Sequence, residues 1–378
     1  MASHTARILL ACNFRCPFCF AAWHEEEEGA PVPLQDELQG TQWDGYLDGM
    51  RAKGNTRLTI SGGEPTMHPE ILPLIRKARR AGYEAVELQT NGSLLTRENV
   101  RRLAKAGLTH ALVSLHSHVP RTFDRITVTK GLFDTVVSGI KLFLEAGIIV
   151  DVSHVVLSLN VEGLVDYVRF LDRELSGINE VHLLSMHPEA RAKKNMHLWP
   201  PLPVVREKLP LMLAEAKRLN VHIRMDSLEG FPMCFAPGHE DQLDLADIVA
   251  PSDVFGEELE AFHVIQRKKV QVPACEGCFF QRTCYGFWES YFVIHGTEGI
   301  VATQPTERLE AMYPQVTARN ALSPEELPPE ARLVPVRSPE RRQVITEDDV
   351  NAIPDVWRLR REAAQEVEAL AAQDTGGD

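Results

Sequence analysis

From Arg7 to about Asp226 the chain alternates short apolar runs, rich in β-branched residues, with longer amphipathic stretches. "RILLA" (residues 7–11), "RLTIS", "AVELQT", "ALVSLH", "IVDVSHVV" and "EVHLLS" predict six strands. Between them, "PEILPLIRKARRAG", "RENVRRLAKAG" and "FDTVVSGIKLFLEAG" repeat apolar positions at helical spacing. Each of these three ends at a glycine suited to the first position beyond a helix: Gly82, Gly107 and Gly147. Strand–helix alternation implies parallel strands joined by helical crossovers, an α/β fold. Six such units make either an open partial barrel or a doubly wound sheet, and periodicity does not separate the two. Both gather their functional residues at the C-terminal ends of the strands.

The pattern breaks after Asp226. Three segments are expected: a strand–helix domain over residues 1–226, an irregular cysteine-bearing domain over 227–300, and an extension over 301–378. The extension carries the proline-rich "SPEELPPEARLVP" and then a charged, helix-like run, "PDVWRLRREAAQEVEALAA". "HEEEE" (residues 24–28) reads as a solvated loop. With 378 residues, 44% of them hydrophobic, the chain can build a sizeable core. A net charge of -13 argues against a protein that coats nucleic acid, which needs a basic face. No run is long and apolar enough to predict a membrane span, and no secretory apolar segment precedes Cys12. The expected compartment is the reducing cytoplasm, where clustered cysteines serve as metal ligands or catalysts more often than as disulfides.

The seven cysteines fall into a group of three and a group of four. Cys12, Cys16 and Cys19 stand at C-x3-C-x2-C spacing straight after the first predicted strand. A disulfide would strand one of these thiols, and a structural zinc site takes four ligands. A four-iron cube takes one thiolate per iron, so three cysteines leave one iron open. A zinc loop with a distant fourth ligand is the alternative. Phe18 adds an aromatic beside the loop. After the second predicted strand, "SGGEP" places Gly62, Gly63, Glu64 and Pro65. Paired glycines admit a close backbone approach to a ligand, and the carboxylate can accept from an ammonium group.

"CNFRCPFC" followed by "SGGEP" resembles the radical S-adenosylmethionine (radical SAM) superfamily, over roughly the first two-thirds of the chain. The resemblance implies a partial (β/α)6 TIM-type barrel with a [4Fe-4S] cluster on Cys12, Cys16 and Cys19. The open iron would chelate S-adenosylmethionine, and its reductive cleavage would give a 5′-deoxyadenosyl radical that abstracts a substrate hydrogen. The family's GGEP motif holds the methionine amino group. Thr90, Asn91 and Gly92 resemble its "TNG" turn, and Ser114 its cofactor-facing serine. Many relatives read "SLDG" at that point, so His116 departs from the pattern; it touches cofactor or substrate, or is a satisfied strand-end histidine. Arg125 and Lys130 serve the cofactor carboxylate or are surface charges. Asn160 is a candidate ribose contact. The implied partners are a peptide or small-molecule substrate and a reductant such as flavodoxin or ferredoxin, with no nucleic acid and no membrane.

Cys234 in "FPMCFAPG", with Cys275, Cys278 and Cys284 in "VPACEGCFFQRTCYGFWESY", suits zinc or a second iron–sulfur cluster. The pattern resembles the auxiliary-cluster extensions of the superfamily, the SPASM and twitch domains. Since no cysteine follows Cys284, one auxiliary cluster, expected to be [4Fe-4S], is the ceiling. If all four thiols bind, no iron is open and the centre takes up or relays an electron. If Cys234 stays free, it can give a hydrogen atom to a substrate radical, as in an epimerase, or the open iron can bind substrate. Phe279, Phe280, Tyr285, Phe287 and Trp288 read as shielding for the cluster. Arg191, Lys193 and Lys194 face the cofactor, an acidic substrate or solvent. The expected reaction is the maturation of a ribosomally made peptide by a crosslink, a thioether or a similar modification. The alternatives are dehydrogenation or epimerisation of a small molecule and, from another class, a non-enzymatic zinc or iron–sulfur protein.

Overall fold

The computed structural model describes residues 3–21, 38–225, 230–240, 268–323 and 325–326. Seven parallel strands form one sheet in strict chain order: β1 (Ser3–Arg7), β2 (Arg57–Ser61), β3 (Ala85–Thr90), β4 (His110–Ser114), β5 (Ile149–Val155), β6 (Glu180–Leu184) and β7 (Ile223–Arg224). Their crossovers carry α1 (Gln42–Ala52), α2 (Ile71–Arg80), α3 (Arg97–Ala106), α4 (Pro120–Thr127), α5 (Phe133–Glu145), α6 (Leu164–Glu174), α7 (Ala190–Lys194) and α8 (Leu202–Leu219). A doubly wound sheet reverses strand order at a switch point. This sheet never reverses, so it is the partial barrel, with β1 and β7 as its edges.

Two strand expectations need correction. The first strand is Ser3–Arg7, not residues 7–11. The apolar run beyond it continues as the strand-top loop, where the Ile8 amide donates to the Ser61 carbonyl at 3.0 Å. A seventh strand, only two residues long, follows the 18-residue α8.

The strands alternate in a specific way. Ala6, Leu58, Ile60, Val86, Leu88, Val113, Val150, Val152 and Val181 are fully buried in the apolar core. In that core α2 buries Leu74, Ile75 and Ala78, and each Leu or Ile contributes about 1.5–3 kcal/mol. The alternate residues, pointing into the barrel, are largely polar. Paired register sets Thr5 beside Thr59, Thr59 beside Glu87, Asp151 beside Glu180 and His182 beside Arg224. These inward groups find partners. Arg57 pairs with Glu87, the His182 and Glu180 side chains bond at 2.8 Å, and Asn179 Nδ2 donates to Asp151 Oδ1 at 2.8 Å.

Beyond the barrel, β8 (Lys269–Val270) pairs antiparallel with β9 (Phe287–Trp288), followed by α9 (Glu289–His295), α10 (Glu307–Met312) and α11 (Pro314–Ala321). This part packs directly on the barrel. The Leu202 amide donates to Tyr291 Oη at 2.8 Å, and Trp288 Nε1 donates to Ser185 Oγ at 3.2 Å. The expected boundary at 226/227, the run at 24–28 and the helix-like run in the extension lie outside the described residues. Among the described residues no helix is long and apolar enough to cross a membrane.

Candidate active site

The loop after β1 carries the first three cysteines. The Cys19 amide donates to the Cys16 carbonyl at 3.2 Å, closing a tight turn that brings the thiols together. Burial raises the Cys16 thiol pKa, and the neighbouring Cys19 and Cys12 raise it further. Cys12 is also raised by burial, although the Phe14 amide (3.4 Å) and Asn91 Nδ2 (3.7 Å) both donate to its sulfur. The loop is held from the far side by α7. Arg191 Nη1 donates to the Cys16 carbonyl at 3.3 Å, and Asn195 Nδ2 donates to the Pro17 carbonyl at 3.2 Å. Of the basic cluster on α7, Arg191 therefore serves the cysteine loop, while Lys193 and Lys194 are exposed.

The glycine pair clamps the same loop by backbone alone. The Gly63 amide donates to Leu9 O at 2.6 Å, and the Glu64 amide donates to Ala11 O at 2.9 Å. A Cβ on Gly63 would lie 2.2 Å from Ala11 O, and one on Gly62, where φ is +141°, would lie 2.3 Å from Leu9 O. No side chain fits at either position. Glu64 is fully buried, and its carboxylate accepts from Thr66 N (3.1 Å), Thr66 Oγ1, Thr90 Oγ1 (2.7 Å) and Asn91 N (2.7 Å). Its oxygens are engaged in tying the "GGEP" turn to the "TNG" turn, and Gly62 and Gly63 are the members of the motif that line the cavity. Pro65 is buried and opens a short helical turn behind them.

A cavity of about 480 Å3 runs from this loop into the barrel. Cys12, Cys16 and Cys19 line it, as do Phe18, Ser114 and His116. His116 Nδ1 accepts from the Val155 amide at 3.1 Å, and its ring meets Phe18 edge-on at 4.9 Å. Burial drops the His116 pKa to about 3, so the ring is neutral. Asn160 is buried beneath this wall. Its Nδ2 donates to His116 O (2.7 Å) and Val155 O (2.9 Å), and its Oδ1 accepts from the Leu157 amide (2.7 Å). These bonds hold the β5 exit loop; Asn160, Arg125 and Lys130 are not among the cavity's lining residues. Arg125 and Lys130 are exposed, on and just after α4.

Sequence reasoning passed over several polar residues that line the cavity: Arg7, Glu87, Gln89, His182 and Arg224. Their signal was a polar residue at every second position of an otherwise apolar strand. It also passed over Asn13, whose Oδ1 accepts from Asn91 Nδ2 at 2.8 Å and whose Nδ2 donates to Ser93 Oγ at 2.7 Å.

The four downstream cysteines converge on a separate small cavity. Cys234, Cys275, Cys278 and Cys284 all line it, with apolar neighbours such as Met233, Phe280 and Phe287. Each sulfur receives a backbone N–H: Cys278 from Thr303 (3.3 Å), Cys284 from Gly286 (3.3 Å), Cys234 from Val301 and Cys275 from Val272. Burial, with smaller contributions from Cys278 and Cys275, pushes the Cys284 thiol up to about 11. Burial raises Cys234 too, with Cys284, Cys278 and Cys275 adding to it. No cysteine is in a disulfide.

A parallel barrel with three thiols and a glycine clamp at its mouth defines a class of cofactor-dependent α/β domain. Residues 7–171 match the model of the Radical SAM superfamily, and this chain carries a radical SAM domain. The probable GTP 3′,8-cyclase of Saccharolobus solfataricus is 35% identical over 186 residues, covering 48% of this chain and 56% of that protein. The protein of the same name from Sulfolobus acidocaldarius is 31% identical over 185 residues. The chain thus spans about half the length of the curated relatives it matches. A solved structure of anSMEcpe with bound AdoMet shares the fold, with a TM-score of 0.52 at 13% identity over 86% of this chain and 96% of that one.

Proposed function

We propose that this chain is a radical SAM oxidoreductase acting on a small polar substrate. The carrying observation is the ligand count. Among the described residues, three cysteines line the barrel cavity and four line the other. Cys12, Cys16 and Cys19 would hold a [4Fe-4S] cluster with one iron left for S-adenosylmethionine. Bound there, the pair supplies one-electron cleavage of the sulfonium and a 5′-deoxyadenosyl radical for hydrogen abstraction. The chain's own residues do the rest. The Gly62 and Gly63 backbone lets the nucleotide approach closely. Neutral His116 and Phe18 wall the cavity against water. Arg7 and Arg224 line the cavity together with Glu87 and Glu189, and Gln89, Ser61 and Ser153 add hydrogen-bonding groups for a polar substrate. The curated relatives are named for GTP, itself a polar small molecule.

The second cavity fits a four-thiolate centre. Its four thiols face one apolar space, and backbone N–H groups already point at the sulfurs. All four positions being thiolate, Cys234 is a ligand in this reading, not a hydrogen-atom donor. Cys234, Cys275, Cys278 and Cys284 would hold a [4Fe-4S] cluster there, which would supply a site to accept or relay an electron. A peptide substrate is the second reading; it is favoured by Phe20, 42% exposed and lining the same cavity, as a platform for an extended chain.

The test is anoxic iron–sulfur reconstitution, reduction with dithionite (standing in for flavodoxin or ferredoxin) and addition of S-adenosylmethionine. The expected product is 5′-deoxyadenosine. Its absence, with zinc filling both cysteine sets, overturns the proposal.

A further inference from the structure

The ribbon of β8 and β9 separates the two cavities and has a different side chain on each face. Successive residues of a strand point to opposite faces. Val270 and Phe287, paired in register, line the four-cysteine cavity. Lys269 and Trp288, the next pair, turn the other way. Gly286 makes this possible, because a Cβ there would sit 2.1 Å from Val270 O.

Trp288 is fully buried and reaches the barrel side. Its Nε1 donates to Ser185 Oγ, and its ring lies 4.9 Å from that of His187. Ser185 and His187 both line the barrel cavity. His187 in turn lies 5.1 Å from Phe20, the residue after Cys19. Burial, with smaller contributions from nearby Lys269 and Lys268, lowers the His187 pKa to about 3, so this ring is neutral and packs as an aromatic. Phe20, His187 and Trp288 therefore form a file of rings from the first cysteine set to β9, where one peptide bond joins Trp288 to Phe287, which lines the second cavity. Lys269 Nζ lies 4.8 Å from the Trp288 centroid. A cation there disfavours removing an electron from the indole. The path is suited to electron tunnelling through three packed rings and the β9 backbone, without a discrete tryptophan radical.

Resting on the reading of both cysteine sets as iron–sulfur sites, we infer that Trp288 and His187 are the electron link between them. In the step, one electron leaves the centre on Cys234, Cys275, Cys278 and Cys284, which is oxidised. It reaches the centre on Cys12, Cys16 and Cys19, which is reduced. No bond forms or breaks.

The test uses the full chain with both sites loaded, reduced with dithionite, freed of excess reductant and mixed with S-adenosylmethionine. Freeze-quench electron paramagnetic resonance follows the second centre. In the wild type its reduced signal decays after the first centre has spent its own electron, and a second equivalent of 5′-deoxyadenosine forms. Trp288→Leu slows that decay several-fold and holds the yield near one equivalent; Trp288→Phe, which keeps an aromatic ring, retains most of the wild-type rate. If Trp288→Leu loses iron, His187→Leu, on the barrel side and not a lining residue of the second cavity, decides the matter by the same decay. A wild-type signal that persists overturns the link, and so does an iron-replete Leu variant that decays at the wild-type rate. Failure to form any 5′-deoxyadenosine instead defeats the underlying reading, so the two failures are distinguishable.

Discussion

Gly63→Ala is the sharpest perturbation the structure offers. The added methyl carbon would meet Ala11 O at 2.2 Å and Leu10 O at 2.4 Å. A carbon–oxygen contact needs about 3.3 Å, so the loop carrying Cys12 must retreat by about 1 Å. The obstacles are backbone carbonyls, which cannot rotate aside as a side chain can. Overpacking of this kind costs about 1–3 kcal/mol. Retreat also breaks the bonds from the Gly63 and Glu64 amides to Leu9 O and Ala11 O, each contributing about 1 kcal/mol. The expected loss is about 3 kcal/mol in anoxic urea unfolding of the metal-free chain, with iron at the first site and 5′-deoxyadenosine yield falling together. Gly45→Ala is the control: Gly45 lies in α1 with nothing within 4 Å of its added Cβ, and the change gains up to ~1 kcal/mol of helix propensity. A Gly63→Ala protein as stable as wild type, with a full first site, would show that the clamp is not rigid and that the distances carry no such constraint.

Three further outcomes are expected. Cys234→Ser lowers the iron held per chain while 5′-deoxyadenosine formation survives; unchanged iron would remove Cys234 from the ligand set. Asn160→Ala destabilises by about 1–3 kcal/mol through orphaned groups, read as a lower urea midpoint; an unchanged midpoint would contradict the three bonds that hold the β5 exit loop. His154 is buried, and burial drops its pKa to about 3, from 6.5 for a free histidine. Between those values the unfolded chain binds the extra proton, so His154 makes stability fall as pH is lowered from 6.5 toward 3. In urea unfolding across that window, His154→Gln should show a shallower acid slope than wild type; an identical slope would place the titration elsewhere.

Local chemistry was legible in the sequence; contact across the fold was not. β2 and β3 were read to the residue because their apolar runs are bounded by turn residues. β1 was misplaced because its alternation, His4, Thr5, Ala6, Arg7, turns polar groups into a polar barrel, whereas the apolar run that follows it is a loop docked on Gly62 and Gly63. β7 is too short to leave a period. The cysteine spacing and the glycine pair stood out since each lies within a few residues. The bonds from Thr90 and Asn91, a strand away, to the Glu64 carboxylate leave no local mark in the sequence. Cys234 was left between ligand and hydrogen donor, since only the fold brings it to Cys284. Trp288 was read as cluster shielding, and its contact with His187, about a hundred positions upstream, has no sequence signature.

The pleat of β9 fixes loop length more tightly than loop chemistry. One residue inserted between Gly286 and Phe287 would shift the strand by a half-period. Phe287 would then be presented to the barrel, and Trp288 to the thiols. Substitutions in the segment from Cys278 to Cys284 leave that parity intact, whereas a single-codon insertion there reverses it unless a deletion nearby restores the count.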